Sequence, residues 1–249
     1  MRKTFTATAL VVALVAAAAM VTGCTRVRLA DDPKTRTTRE SKTVARGGAG
    51  SVETEIRMKV GELRLSVEPS ATDLLRADFL YAPASWKPTV SYKLASGVGR
   101  LLVEQPDAAS MTAFRDLKNN WELVVDGEVP TKLKLRLGVG TSAINLRGAN
   151  LTSIDAVTGV GETTIDLSGP RTRDLTGRIE AGVGSITVHL PKTIGVRVTG
   201  RQDGVGDFTA DGFKAEGNSW VNDAYSGPGP KIDIDFVRGV GDAKLVLED

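Results

Sequence analysis

The tripeptide Gly-Val-Gly occurs six times, at 97–99, 138–140, 159–161, 182–184, 204–206 and 239–241, and Lys59-Val60-Gly61 is a weaker copy. The second glycines of the central four copies stand 21, 23 and 22 residues apart. A fixed spacing of this length marks a repeat architecture, in which each unit is one supersecondary element stacked on its neighbours. It makes Gly97, Gly99, Gly138, Gly140, Gly159, Gly161, Gly182, Gly184, Gly204, Gly206, Gly239 and Gly241 candidate structural positions.

The residues after each tripeptide alternate with the period of a half-buried strand. After Gly184, Ile186, Val188 and Leu190 take one face while Thr187 and His189 take the other. The matching inward sets are Thr163, Ile165 and Leu167 after Gly161, Ser142, Ile144 and Leu146 after Gly140, and Ala243, Leu245 and Leu247 after Gly241. Residues before the motif alternate too, as in Leu133, Leu135, Leu137, Val139 and in Ile179, Ala181, Val183. The valine thus completes the preceding inward set, yet the next inward residue lies three positions on. A bulge or sharp corner produces such a slip of phase, and glycine supplies its backbone angles.

Turn signals at Arg147-Gly148-Ala149-Asn150, Ser168-Gly169-Pro170 and Leu190-Pro191-Lys192 close the units. Two short strands in about 22 residues cannot bury an inner face alone, so the units stack. The expected fold is all-β, a β-solenoid or β-helix-like stack of short strands with Gly-Val-Gly corners, over residues 51–249. Wider spacings outside the central block imply insertions, among them Ala71–Ala77, which can form a helical turn, and 212–230 with Trp220 and Tyr225.

The amino terminus carries a different signal. Arg2 and Lys3 precede an uncharged, mostly aliphatic run from Ala7 to Val21, shorter than a membrane span usually needs. The run ends in Val21-Thr22-Gly23-Cys24, which resembles the bacterial lipobox, with Cys24 the only cysteine in the chain. Residues 1–23 are therefore expected to be a lipoprotein signal peptide and Cys24 the site of lipid attachment. A transmembrane anchor is the alternative. Two or more acyl chains hold a protein stably on a membrane at about 0.8 kcal/mol per buried methylene.

From Thr25 to Gly50 there are seven basic residues against three acidic ones, ending in Gly47-Gly48-Ala49-Gly50. Residues 24–50 thus read as the lipidated cysteine and a flexible basic tether, held against anionic headgroups or merely solubilising.

At Trp121–Val205, the segments Trp-Glu-Leu-Val-Val, Leu-Lys-Leu-Arg-Leu-Gly-Val-Gly and Gly-Val-Gly-Ser-Ile-Thr-Val-His-Leu-Pro resemble the bacterial toast-rack domains of unknown function. That domain type is similar to the extracytoplasmic part of LiaF-like envelope-stress regulators. The resemblance spans roughly residues 50–249. It implies a β-helix-like stack at a membrane and no catalytic residues. The LiaF-like pattern has membrane helices where this chain has a lipobox.

Chemistry is sparse. Gly138–Ala143 formally fits a dinucleotide fingerprint, but a real one opens a helix once per βαβ unit, whereas this motif recurs before strands. Gly-Val-Gly-Asp at 204–207 and 239–242 lacks the nine-residue period of a calcium ladder. No metal or cofactor is expected, since His189 is the only histidine and the lone cysteine sits in the lipobox. Stacked in register, Asn145, Asp166 and His189 form one outward column, either a sugar or metal site or an ordinary polar ladder.

Without Arg2 and Lys3 the chain is formally neutral, which argues against nucleic acid as a partner. The leading expectation is a membrane-anchored, non-enzymatic binding or scaffold module for an envelope protein or glycan, with a role in envelope-stress sensing or adhesion. It would sit on the outer membrane where there are two membranes and otherwise on the outer face of the plasma membrane. The alternative is a polysaccharide-active β-helix enzyme using Asp155, Asp166 and Asp174, which would need paired carboxylates less than about 10 Å apart. A third reading is edge-to-edge assembly of the repeats.

Overall fold

The computed structural model describes residues 37–107, 117–200 and 204–249. Its strands are β1 (Thr38–Ala45), β2 (Ser51–Glu68), β3 (Asp73–Ala82), β4 (Thr89–Ala95), β5 (Val98–Glu104), β6 (Lys118–Asp126), β7 (Thr131–Asn145), β8 (Leu151–Asp166), β9 (Leu175–Pro191), β10 (Gly195–Gly200), β11 (Phe208–Asp211), β12 (Lys214–Glu216), β13 (Ser219–Val221), β14 (Lys231–Val237) and β15 (Ala243–Glu248). All belong to one 15-stranded sheet. The fold is the all-β, solenoid-like stack that the repeat predicts.

The long strands β2, β7, β8 and β9 lie parallel and in register, and each bends at its glycine motif. Alternate side chains on both arms of the bend point inward. Ile56 and Leu63, Leu135 and Ile144, Ile154 and Ile165, and Ile179 and Val188 are all buried, so each coil adds two layers to a continuous core. Burying an aliphatic side chain contributes about 1.5–3 kcal/mol, and the repeated pattern makes the contribution additive along the stack.

The first end of the stack carries two more parallel strands, β5 and β6, and then antiparallel ones. β5 pairs with the first arm of β2 and β6 with the second, and β3 and β1 extend the sheet beyond β6. Phe79 and Trp121 pack edge to face at 5.4 Å. Trp86 is buried in the same core.

Three expectations change. The tether is shorter than residues 24–50, because Thr38–Ala45 is strand β1, paired antiparallel with β3 in one register as far as Val44. Its alternating pattern puts Glu40 beneath the Tyr81 hydroxyl, which donates to it at 3.1 Å. Ala71–Ala77 forms no helical turn. From Asp73 it is strand β3, where Leu75 and Ala77 are buried against β6.

Third, the Gly97–Gly99 copy is not a corner. Ser96 and Gly97 both have positive φ, at 51° and 76°, and form the two-residue turn of the β4–β5 hairpin, the primed turn that such hairpins favour. The weak copy at Lys59-Val60-Gly61 takes the corner place instead, with Val60 opposite Val139 and Gly61 opposite Gly140.

The structure also shows that the coils do not stack in chain order. After β9 the chain leaves a gap one strand wide before laying down β10 and β11. The last strands then fill it, with β14 between β9 and β10 and β15 between β9 and β11.

Candidate interaction surface

Every corner but the one at Val60 places a valine between two glycines. The φ of Gly161 is 135°, a region other L residues avoid. A Cβ there would fall on the carbonyl oxygen of Gly140 in the coil below, and one at Gly184 would fall on that of Gly161. The glycines let successive backbones approach to strand spacing around a tight bend. Stripped of side chains on both flanks, the valines project alone.

Their orientation corrects the sequence reading. Val139, Val160, Val183 and Val240 are 49–52% exposed, and Val205 is 65% exposed. Val139 and Val183 therefore do not complete the inward sets, since the bend is already under way at the first glycine. Counting back by twos from the next inward residue, Ser142, would have put Val139 outside.

Paired in register, the corner residues form one column in the order Val60, Val139, Val160, Val183, Val240, Val205. Exposure peaks at Val205, which among the described residues pairs on one side only, with Val240. The other end is shut by two amides. Gln105 accepts hydrogen bonds from the backbone N–H groups of Lys59 and Val60 at 2.8 and 3.0 Å, and Asn119 donates to the Val60 carbonyl at 2.6 Å.

Two polar faces flank the column. On the first-arm face, Glu55, Lys134, Asp155, Arg178 and Asp235 stand in one register row with strictly alternating charge. Arg136 donates to both carboxylate oxygens of Asp155, at 3.1 and 2.6 Å, and holds that carboxyl below the ordinary aspartate range against the opposing effect of partial burial. Arg178 pairs with Asp235, and Arg197 with Asp233 at 2.7 Å. These three pairs neutralise most of the charge on this face.

On the second-arm face, Asn145, Asp166 and His189 are in register. Each has a local partner. Asn145 Oδ1 accepts the N–H of Arg147 at 3.1 Å, Asp166 Oδ1 accepts the N–H and hydroxyl of Ser168 at 2.8 and 2.5 Å, and His189 Nδ1 lies 2.6 Å from Glu248 Oε1. The first two close the turns that end β7 and β8.

The carboxylates considered for glycoside chemistry are not brought together. Asp155 lies on the first arm of β8 and Asp166 on the second, while Asp174 accepts the N–H of Lys231 at 2.9 Å. Gly138–Ala143 lies within β7 and opens no helix. Among the described residues no group of three or more His, Cys, Asp or Glu side chains is placed to hold a metal, and no helix is long and apolar enough to cross a membrane. Cys24 and residues 1–36 lie outside the described residues.

Residues 32–189 match the family profile of the N-terminal domain of toast_rack, DUF2154. Among solved structures, a candidate cell adhesion protein from Clostridium sporogenes is similar over 86% of this chain and 100% of its own, with 29% identity and a TM-score of 0.78. A candidate adhesin from Bacteroides fragilis matches over 86% of this chain and 99% of its own, with 12% identity and a TM-score of 0.24. No curated protein sequence matches the chain.

Proposed function

The chain belongs to the toast-rack N-terminal domain family, and from that premise we propose that it is a non-enzymatic binding module, anchored outside the cytoplasm through a lipidated Cys24, whose valine column receives a protein partner. The observation that carries this reading is the column itself. Five half-exposed valines stand in register on a rigid corner, with glycines on both flanks.

The chemistry of the column selects the class of partner. It offers no aromatic plane on which a sugar ring can stack and no side-chain hydrogen-bonding group, so it suits apolar protein side chains better than a glycan. Most of the first-arm charges are already paired, which favours apolar contact as the main source of affinity. Five half-exposed valines supply less area than the roughly 800 Å² per partner of a standard interface, so the contact is a transient one or recruits the polar flanks as its rim. The name carried by the Clostridium relative agrees with a role in adhesion. A role in envelope-stress sensing would use the same surface.

The lipobox supports display on the outer membrane of a two-membraned cell and otherwise on the outer face of the plasma membrane. The 24–37 stretch remaining before β1 still holds four basic residues against two acidic ones, which suits an anionic membrane surface.

Photocrosslinking in cells tests the reading. A benzophenone side chain at Val160 or Val183 is expected to give a discrete protein adduct, while one at Thr164 or Thr187 on the second-arm face gives none. The same adduct from every position, or none from the column, would count against it. An adduct that a glycan-degrading enzyme removes would reassign the partner to glycan.

A further inference from the structure

The strands β14 and β15 enter the fold as a guest. Both of their edges pair with segments far away in sequence: β14 with β9 and β10, β15 with β9 and β11. They bring Ile232, Ile234, Phe236, Ala243 and Leu245, all buried, into a gap that the preceding chain leaves open. Backbone hydrogen bonds line both sides, from Gly184 N to Val240 O at 2.8 Å, Ile186 N to Asp242 O at 2.9 Å and Ala243 N to Asp207 O at 2.9 Å. The gap between β9 and the β10–β11 coil is therefore a strand-acceptor site, specific in register and in side-chain pattern.

The guest is joined to the rest through Gly227-Pro228-Gly229-Pro230, of which the first three residues are exposed. Pro228 and Pro230 each fix their own φ, whereas Gly229 turns the linker at a positive φ of 104° and, as glycine, can change to an extended angle at little steric cost. Because the site recognises only the strand pair, a guest from a second copy would make identical contacts. Exchange of an identical element between protomers is a low-cost route to a dimer.

We propose that residues 231–249 exchange between copies of this chain, the acceptor gap of one taking the β14–β15 pair of another. The exchange joins two solenoids through the rung next to the far end of each and leaves the valine column continuous on each, now built from both chains. Val240 of the donor then stands between Val183 and Val205 of the acceptor.

Glu180 and Val237 provide the test, since they are paired in register across β9 and β14 on the charged face, away from the valine column. Parallel neighbours lie about 4.8 Å apart, within the span a disulfide bridges. Two full-length chains with different tags, one carrying Glu180→Cys and the other Val237→Cys, are produced in the same cells and oxidised. A dimer carrying both tags, absent when either variant is produced alone, is the expected result.

The double variant E180C/V237C in one chain is the control and should close an intramolecular bridge. That bridge without any two-tag dimer would overturn exchange. Failure of the bridge itself would mean that β14 does not sit beside β9, and the proposal falls with it. Neither outcome touches the valines, so the partner reading stands or falls separately.

Discussion

Gly161 and Gly97 belong to the same recurring tripeptide but do different work, and alanine separates them. At Gly161 the added methyl meets both an unfavourable φ and the backbone of the next coil, which cannot move without opening the stack. Gly161→Ala is expected to cost about 3 kcal/mol or more, from left-handed strain plus overpacking. Gly97 also has positive φ but faces open space, so Gly97→Ala should cost only about 1–2 kcal/mol. Denaturant midpoints measured side by side check the difference, and equal losses would mean that the corners are not closely stacked.

Asp155 makes a second prediction at this scale. Its hydrogen bonds from Arg136 depress its pKa, so the pair contributes stability above the unfolded carboxylate value and loses it as pH falls through the folded one. Both side chains are 38% exposed, and solvent screens the pair to less than about 1 kcal/mol. Asp155→Asn should therefore be slightly less stable than the parent at pH 7. That deficit should vanish as the pH drops below about 4 in paired unfolding curves.

Among the elements, β14 has the most consequence for its neighbours. Among the described residues β10 pairs only with β13 and β14, and β11 only with β15, so the far end of the stack is tied to the main coils through the inserted rung. Phe236, buried on β14, holds that rung, and Phe236→Ala should cost about 3–5 kcal/mol. In a solenoid such a loss is felt mainly by nearest neighbours. Amide exchange in 195–200, 208–211 and 219–221 should accelerate by about a hundredfold or more, with β2 and β7 changing much less. Uniform acceleration along the chain would show instead that the fold melts as one unit.

For the molecule as a whole, what is readable from sequence tracks what is local. Alternating side chains and the 22-residue spacing reveal strands, corners and inward sets because each depends on neighbours within one coil. The hairpin at Gly97 is hidden because its cause is the preceding Ser96, not the tripeptide. The order of coils is hidden for a deeper reason. In-register parallel rungs are nearly interchangeable, so nothing in β14 marks it as a neighbour of β9 until β10 and β11 have left the gap. Strand β1 is masked by its charge, since an edge strand with alternating polar residues reads like a tether.

The valine column is legible in part. Its spacing is plain, but its direction depends on which arm supplies the phase. Threonine at Val139, Val160 and Val183 keeps shape and β-branching while removing one apolar methyl from each of three consecutive column positions. If the column is a binding surface, the triple variant should fold with a midpoint within about 1 kcal/mol of the parent, and a benzophenone side chain placed at Val240, which gives the adduct in the parent, should lose it. An adduct that persists in the folded variant would contradict the proposed function.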